Sequence, residues 1–158
     1  MARLAEGDRV TRRIGVLNGP NLNLLGARDP RHYGSLTLAE IEGRLREAAA
    51  GRPVELEFFQ SNDEGDLVTR VQDRAGEVDA WIVNAAGLTH TSVPLRDALE
   101  AADLPFVEVH LSNVYAREPF RRTSLLADLA IGVIAGFRVS SYLFALEALI
   151  EHLGSAEG

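Results

Sequence analysis

The sequence predicts an α/β fold, a three-layer sandwich built on a five-stranded parallel sheet. Two observations carry this. Five short apolar runs alternate with four segments of helical periodicity from one end of the 158-residue chain to the other. Strands separated by helices need right-handed crossovers, which make the sheet parallel. Three of the runs also end in dense clusters of polar side chains, as expected where ligands meet the carboxyl ends of strands in an open α/β sheet.

The elements follow in order. Ile14–Leu17 is a short buried strand leading into Asn18-Gly19-Pro20-Asn21. A long connection, Gly19 to Ser35, has the length of a lid. Thr37-Leu38-Ala39-Glu40 is a capping box, in which hydroxyl and carboxylate satisfy free amides at a helix start. Leu38, Ile41, Leu45 and Ala48 then recur at helical spacing to about Gly51. Pro53–Gln60 is the second strand, and Ser61-Asn62-Asp63-Glu64 a second capping box before Leu67, Val68, Val71 and Ala75. Ala80–Asn84 is the third strand. Ser92 caps a helix to Ala102, with Pro94 at an early position. Pro105–Val109 and Ala130–Ala135 are the fourth and fifth strands. The last helix spans Val139–Leu153, with Leu143, Leu146, Ile150 and Leu153 expected toward the core. The expected strand order is 2-1-3-4-5, the flavodoxin-like arrangement, whose switch point lies between the first and third strands. Residues 1–13 read as a flexible extension, 14–153 as one domain and 154–158 as a tail. A single domain of this size buries about 70% of its unfolded surface.

Composition removes several functions. The net charge of −7 argues against a nucleic-acid partner. No run approaches the roughly 18 continuous apolar residues of a membrane span. Met1–Arg13 has no apolar stretch and is not a secretory signal. The absence of cysteine excludes disulfides and thiolate chemistry and fits a cytoplasmic protein. All 16 basic residues are arginine. Without lysine the chain has no side chain for a Schiff base and no phosphate-loop lysine. The turn after the first strand lacks G-x-G-x-x-G spacing, no G-x-S-x-G elbow exists, and His32, His90, His110 and His152 are too dispersed for a metal site.

The polar clusters point to acid–base chemistry. Arg28 and Tyr33 lie in the long connection between Gly26 and Gly34. Taken alone they are a solvated arginine and an ordinary tyrosine. The other reading is a phenolate base: an arginine about 4 Å away favours the phenolate by up to roughly 4 kcal/mol at an effective dielectric of about 20. Glu108 and His110 alternate on one strand face, either as a structural histidine and its partner or as a proton donor whose charge Glu108 tunes. Asn84 and His90 either staple their own loop or bind substrate hydroxyls. Arg117 and Arg121 are either in surface ion pairs or bind an anion.

With these motifs in order, the chain resembles the type II 3-dehydroquinate dehydratases. The matching segments are Leu17-Asn18-Gly19-Pro20-Asn21-Leu22-Asn23, Arg28-Asp29-Pro30, Tyr33-Gly34, Gln60-Ser61-Asn62 and Asn84-Ala85. They continue as Leu88-Thr89-His90-Thr91-Ser92, Glu108-Val109-His110-Leu111-Ser112-Asn113 and Arg117-Glu118-Pro119-Phe120-Arg121. The resemblance implies a cofactor-free, metal-free hydro-lyase of the shikimate pathway, turning 3-dehydroquinate into 3-dehydroshikimate by anti elimination through an enolate. It implies that Tyr33 takes the proton, Arg28 supports the phenolate, Asn21 holds a water at the enolate oxygen, and His110 protonates the departing hydroxyl. It also implies that Asn84, His90 and Arg121 hold ring hydroxyls, and that Leu111 and Ser112 take the carboxylate of this small anionic, polyhydroxylated substrate. Asp97 would come from a neighbouring subunit of a trimer, and four trimers would form a dodecamer. The departures are Arg138-Val139-Ser140-Ser141 in place of a glycine-bearing turn, Leu125 for an aromatic, Asp63 for a histidine, and Ala86 in a loop usually richer in glycine. The alternatives are the same chemistry in quinate catabolism, another polyhydroxylated cyclic acid as substrate, or a non-catalytic flavodoxin-like binding protein.

Overall fold

The computed structural model describes residues 10–155. Most of the expected N-terminal extension, residues 1–9, and residues 156–158 lie outside the described residues. Five strands form one parallel sheet: β1 (Arg12–Asn18), β2 (Val54–Gln60), β3 (Ala80–Asn84), β4 (Phe106–His110) and β5 (Gly132–Ala135). Their order is β2-β1-β3-β4-β5, as the alternation implied. The first strand is longer than expected. Arg12 and Arg13 belong to it, and the Arg13 amide donates to the Asp79 carboxylate at 2.8 Å.

Two helical layers complete the sandwich. On one face α2 (Leu38–Ala49) and α5 (Val139–Ser155) cover Ile14, Val16, Ile82, Val107 and Val109. On the other, α3 (Glu64–Arg74) and α4 (Val93–Ala102) cover Leu17, Trp81, Val83 and Phe106. The α2 capping box forms as the sequence indicated: Glu40 N–H donates to Thr37 Oγ1 at 3.2 Å, and Thr37 N–H donates to Glu40 Oε2 at 2.7 Å. Ser92 caps α4 through the Leu95 amide at 3.0 Å.

Three expectations need correction. The α3 cap is Asp63, which accepts from the Asp66 amide, while Ser61 donates to the Asp66 carboxylate and accepts the Asp63 amide. A carboxylate beside the positive end of the helix outcompetes the hydroxyl two residues earlier. In α5 the buried face is Tyr142, Ala145, Leu146, Leu149 and Leu153, whereas Leu143 and Ile150 are only partly buried. The phenol of Tyr142 reaches inward to Asn18 and Asn84 and sets the helix rotation. Finally, β5 begins at Gly132, and Ile131 and Val133 are exposed on this chain.

Register positions the site. Asn18 stands opposite Gln60 on one side and Asn84 on the other, so three amide side chains line up at the carboxyl edge of β2, β1 and β3. One strand further, Glu108 stands opposite Val83, and His110 closes β4.

Candidate active site

A cavity of about 140 Å³ opens at this edge. Its lining includes Asn21, Arg28, Tyr33, Asn84, His90 and His110, and continues through Leu111, Ser112, Arg117 and Arg121. Of the candidates from the sequence, Glu108 and Asp97 are absent from this lining. Asp97 is exposed on α4 and does not line the cavity of its own chain.

The long β1–α2 connection folds over the cavity. It contains a 3-10 turn, Leu22–Leu24, and a short helix, α1 (Pro30–Tyr33), begun by Pro30 and capped by Asp29. The Arg31 guanidinium on Asp29 lowers the Asp29 carboxyl to about 2, so the cap stays ionised through ordinary pH. Gly26 and Gly34 bracket the segment at φ of 95° and 78°, in the left-handed region that glycine occupies without Cβ strain. The segment delivers Tyr33 with its partner attached. Arg28 Nη2 donates to Tyr33 Oη at 2.9 Å, and the guanidinium carbon lies 4.0 Å from the ring centroid. Arg117 approaches the same ring at 5.2 Å, so two cations face one phenol.

Across the cavity His110 and Glu108 form a buried pair. Nε2 of His110 lies 2.9 Å from Glu108 Oε2, with the two residues 6% and 1% exposed. A carboxylate only accepts, so that nitrogen carries the proton when Glu108 is ionised. Nδ1 is then the ring nitrogen left for another partner. His90 stacks beside His110, with centroids 6.5 Å apart and planes at 14°. Its Nδ1 gives a proton to the Thr123 carbonyl at 2.7 Å, which leaves Nε2 as an acceptor.

The remaining polar groups are held by residues that sequence reasoning passed over. Asn84 Nδ2 donates to the Tyr142 hydroxyl at 2.8 Å, and that hydroxyl donates to Asn18 Oδ1 at 2.6 Å. Burial pushes the Tyr142 phenol upward, so it stays neutral. Asn21 sits at φ 69°, with its amide on Asn62 Oδ1 at 2.9 Å, and Gln60 braces the same turn through the Gly19 carbonyl at 3.2 Å. The signal was in the sequence, since Gln60 and Asn62 stand in a matched motif; only their partner was hidden. Arg117 Nη1 donates to Ser112 Oγ at 3.3 Å, and its Nε is buried without a partner, a cation poised for an anion beside Leu111 and Ser112. Arg121 pairs with Glu118 and also lines the cavity. Among the described residues no group of His, Cys, Asp and Glu could hold a metal, and no helix is long and apolar enough to cross a membrane.

A cation-flanked phenol facing a carboxylate-backed imidazole across one small cavity defines an acid–base enzyme on a flavodoxin-like sheet. The known proteins that share the pattern are specific. Residues 12–150 match the family described as Dehydroquinase class II, and the chain belongs to that family. It is 54% identical over 145 residues to the 3-dehydroquinate dehydratase of Synechococcus sp. (strain WH7803), covering 92% of this chain and 99% of that one. It is 56% identical over 141 residues to the Vibrio cholerae 3-dehydroquinate dehydratase, covering 89% and 94%. The type II dehydroquinase structure from Propionibacterium acnes superposes with a TM-score of 0.85 at 33% identity, covering 91% of this chain and 99% of that one.

Proposed function

We propose that this chain is a hydro-lyase of the shikimate pathway that converts 3-dehydroquinate to 3-dehydroshikimate, with residues 14–153 as its catalytic unit. The observation that carries this reading is the Arg28–Tyr33 bond of 2.9 Å in the same cavity as the Glu108–His110 pair of 2.9 Å.

In this mechanism Tyr33, as phenolate, removes the proton next to the ketone, and the electrons move to the carbonyl oxygen as an enolate. Arg28 and Arg117 supply the positive charge that makes the phenolate affordable. Asn21 holds a water that hydrogen-bonds the enolate oxygen. The enolate then re-forms the ketone with its new double bond and expels the hydroxyl on the opposite face. His110 gives that hydroxyl the proton on Nδ1, and water leaves. Giving up a proton from Nδ1 while Nε2–H is held by Glu108 requires a doubly protonated ring, and the Glu108 carboxylate supplies its counter-charge. The returning step moves the proton from Tyr33 back to His110 through solvent, closing the balance. Asn84, His90 and Arg121 hold the ring hydroxyls, and Leu111 and Ser112 with Arg117 hold the carboxylate. No imine is involved, in keeping with a lysine-free chain.

Asp97, exposed on α4, serves the site of a neighbouring subunit within a trimer, and four trimers assemble as a dodecamer. Supporting this are the family membership and the large apolar side chains left exposed on one chain, such as Ile131, Val133, Phe137 and Phe144. We also place the chain in the cytoplasm, a reading supported by its lack of cysteine. The test is direct. Purified chain given 3-dehydroquinate produces the absorbance of a conjugated enone, and borohydride with substrate does not inactivate it. Absence of enone formation by the assembled protein overturns the reading.

A further inference from the structure

The hydroxyl of Ser124, between the Pro119–Arg122 turn and β5, has only one place to send its proton. Its oxygen accepts the Leu126 amide at 3.1 Å and the Ala127 amide at 3.0 Å. A hydroxyl has two acceptor positions and one donor. With both acceptor positions taken, the proton points at the third neighbour, Glu108 Oε1, at 2.5 Å.

Glu108 needs this donor. Its side chain is nearly sealed from water, at 2% exposure, and among the described residues its ion pairing is confined to His110. A buried carboxylate requires partners on both oxygens. His110 takes one and Ser124 the other. The segment that presents Ser124 is itself tied down: the Leu125 amide donates to the Thr89 carbonyl at 2.8 Å, and the Thr123 carbonyl accepts from His90 at 2.7 Å. Thr123 and Ser124 thus grip both imidazoles of the cavity, one directly and one through Glu108, while Leu125 ties the segment to Thr89.

We propose that Ser124 is a positioning residue for the proton-donating step, fixing the Glu108 carboxylate and, through it, the charge and orientation of His110. The inference rests on His110 being the proton donor in the reading above. Without the Ser124 bond the carboxylate is free to rotate away from Nε2, and His110 loses both its counter-charge and its fixed proton arrangement. Substrate contacts made by Asn84, Arg117 and Arg121 do not pass through Ser124 and stay in place.

The test is a double-mutant cycle on steady-state turnover of 3-dehydroquinate, with Ser124→Ala, Glu108→Gln and the pair. S124A lowers kcat about tenfold or more, the scale of a hydrogen bond to a charged group, with KM changed less than about threefold. Ser124→Thr, which keeps the hydroxyl, restores most of kcat. In the E108Q background S124A costs less than about threefold further, because its route to His110 is already broken. Should S124A fail to assemble, Ser124→Cys takes its place in the cycle, keeping the volume with a weak donor. Full multiplication of the two effects, or a loss that Thr does not rescue, overturns the role of Ser124. His110→Ala separates the two levels: near-normal turnover there overturns the acid assignment itself, whereas an inactive H110A beside a multiplicative cycle overturns only Ser124.

Discussion

Replacing Tyr142 by Phe removes one oxygen from a deeply buried polar network. Tyr142 has no exposed surface, Asn18 is 1% exposed and Asn84 is 3% exposed. The hydroxyl accepts from Asn84 at 2.8 Å and donates to Asn18 at 2.6 Å, while Asn18 Nδ2 already lacks a partner. The variant therefore leaves Asn84 Nδ2 and Asn18 Oδ1, both nearly buried, without their shared partner. At about 1–3 kcal/mol for each stranded group, the expected loss is about 2–4 kcal/mol after partial relaxation. For a chain of this size that lowers the melting midpoint by roughly 5–15 °C. The assay is thermal and urea unfolding at one fixed protein concentration, since an oligomer's midpoint moves with concentration. KM is measured beside it. If Asn84 rotates to pair with Asn18, stability partly recovers but the amide leaves the cavity and KM rises. A variant with unchanged midpoint and unchanged KM refutes the argument that this network holds Asn84 in place.

Two further outcomes are expected. Glu57 is half-buried against Arg13, Arg70 and Arg74, and its hydrogen bonds with Arg74 hold its carboxyl below the ordinary value of 4.5. A depressed folded-state value contributes stability that is present above the unfolded-state value and lost as pH falls through the folded one. Urea titrations of Glu57→Gln should accordingly show a deficit of about 1 kcal/mol at neutral pH that vanishes in acid; a deficit that persists there contradicts the assignment. Arg138 stands at φ 54°, where an L side chain costs about 1–2 kcal/mol, so Arg138→Gly should leave stability unchanged or raise it by up to about 1 kcal/mol after the entropy of glycine is counted. A clear loss on unfolding would show that the Arg138 side chain, packed against Gly34, outweighs that strain.

The sheet was legible because its signals are local. Capping boxes, apolar runs and turn residues each act within a few positions, and alternation of strand and helix leaves few topologies. The cavity was legible for a related reason: its polar residues end strands whose order follows from the connections. The supporting network was not, because it is long-range. Tyr142 meets Asn18 across 124 positions of sequence, and Ser124 meets Glu108 across 16. Nothing near Tyr142 in the chain marks it as more than a core aromatic, so the rotation of α5 was misjudged by one position. The unusual residues teach the converse. Ala86 and Arg138 stand in stretches where glycine was expected, and the backbone takes a left-handed conformation at both, with φ of 52° and 54°. The surrounding fold overrides the local preference at a cost. Asp97 marks the boundary of single-chain reasoning, for its helix was foreseen while the residue does not line the cavity of its own chain.

The most direct measurement is the turnover and ligand affinity of Tyr33→Phe in the assembled protein. The ring, its packing and the Arg28 contact surface persist, while the proton acceptor is gone. Turnover of 3-dehydroquinate falls by about 10²–10⁴ with affinity for a non-reacting substrate analogue within a few-fold of the parent. Turnover close to that of the parent would contradict the account, because the proton would then leave by way of a group other than this phenol.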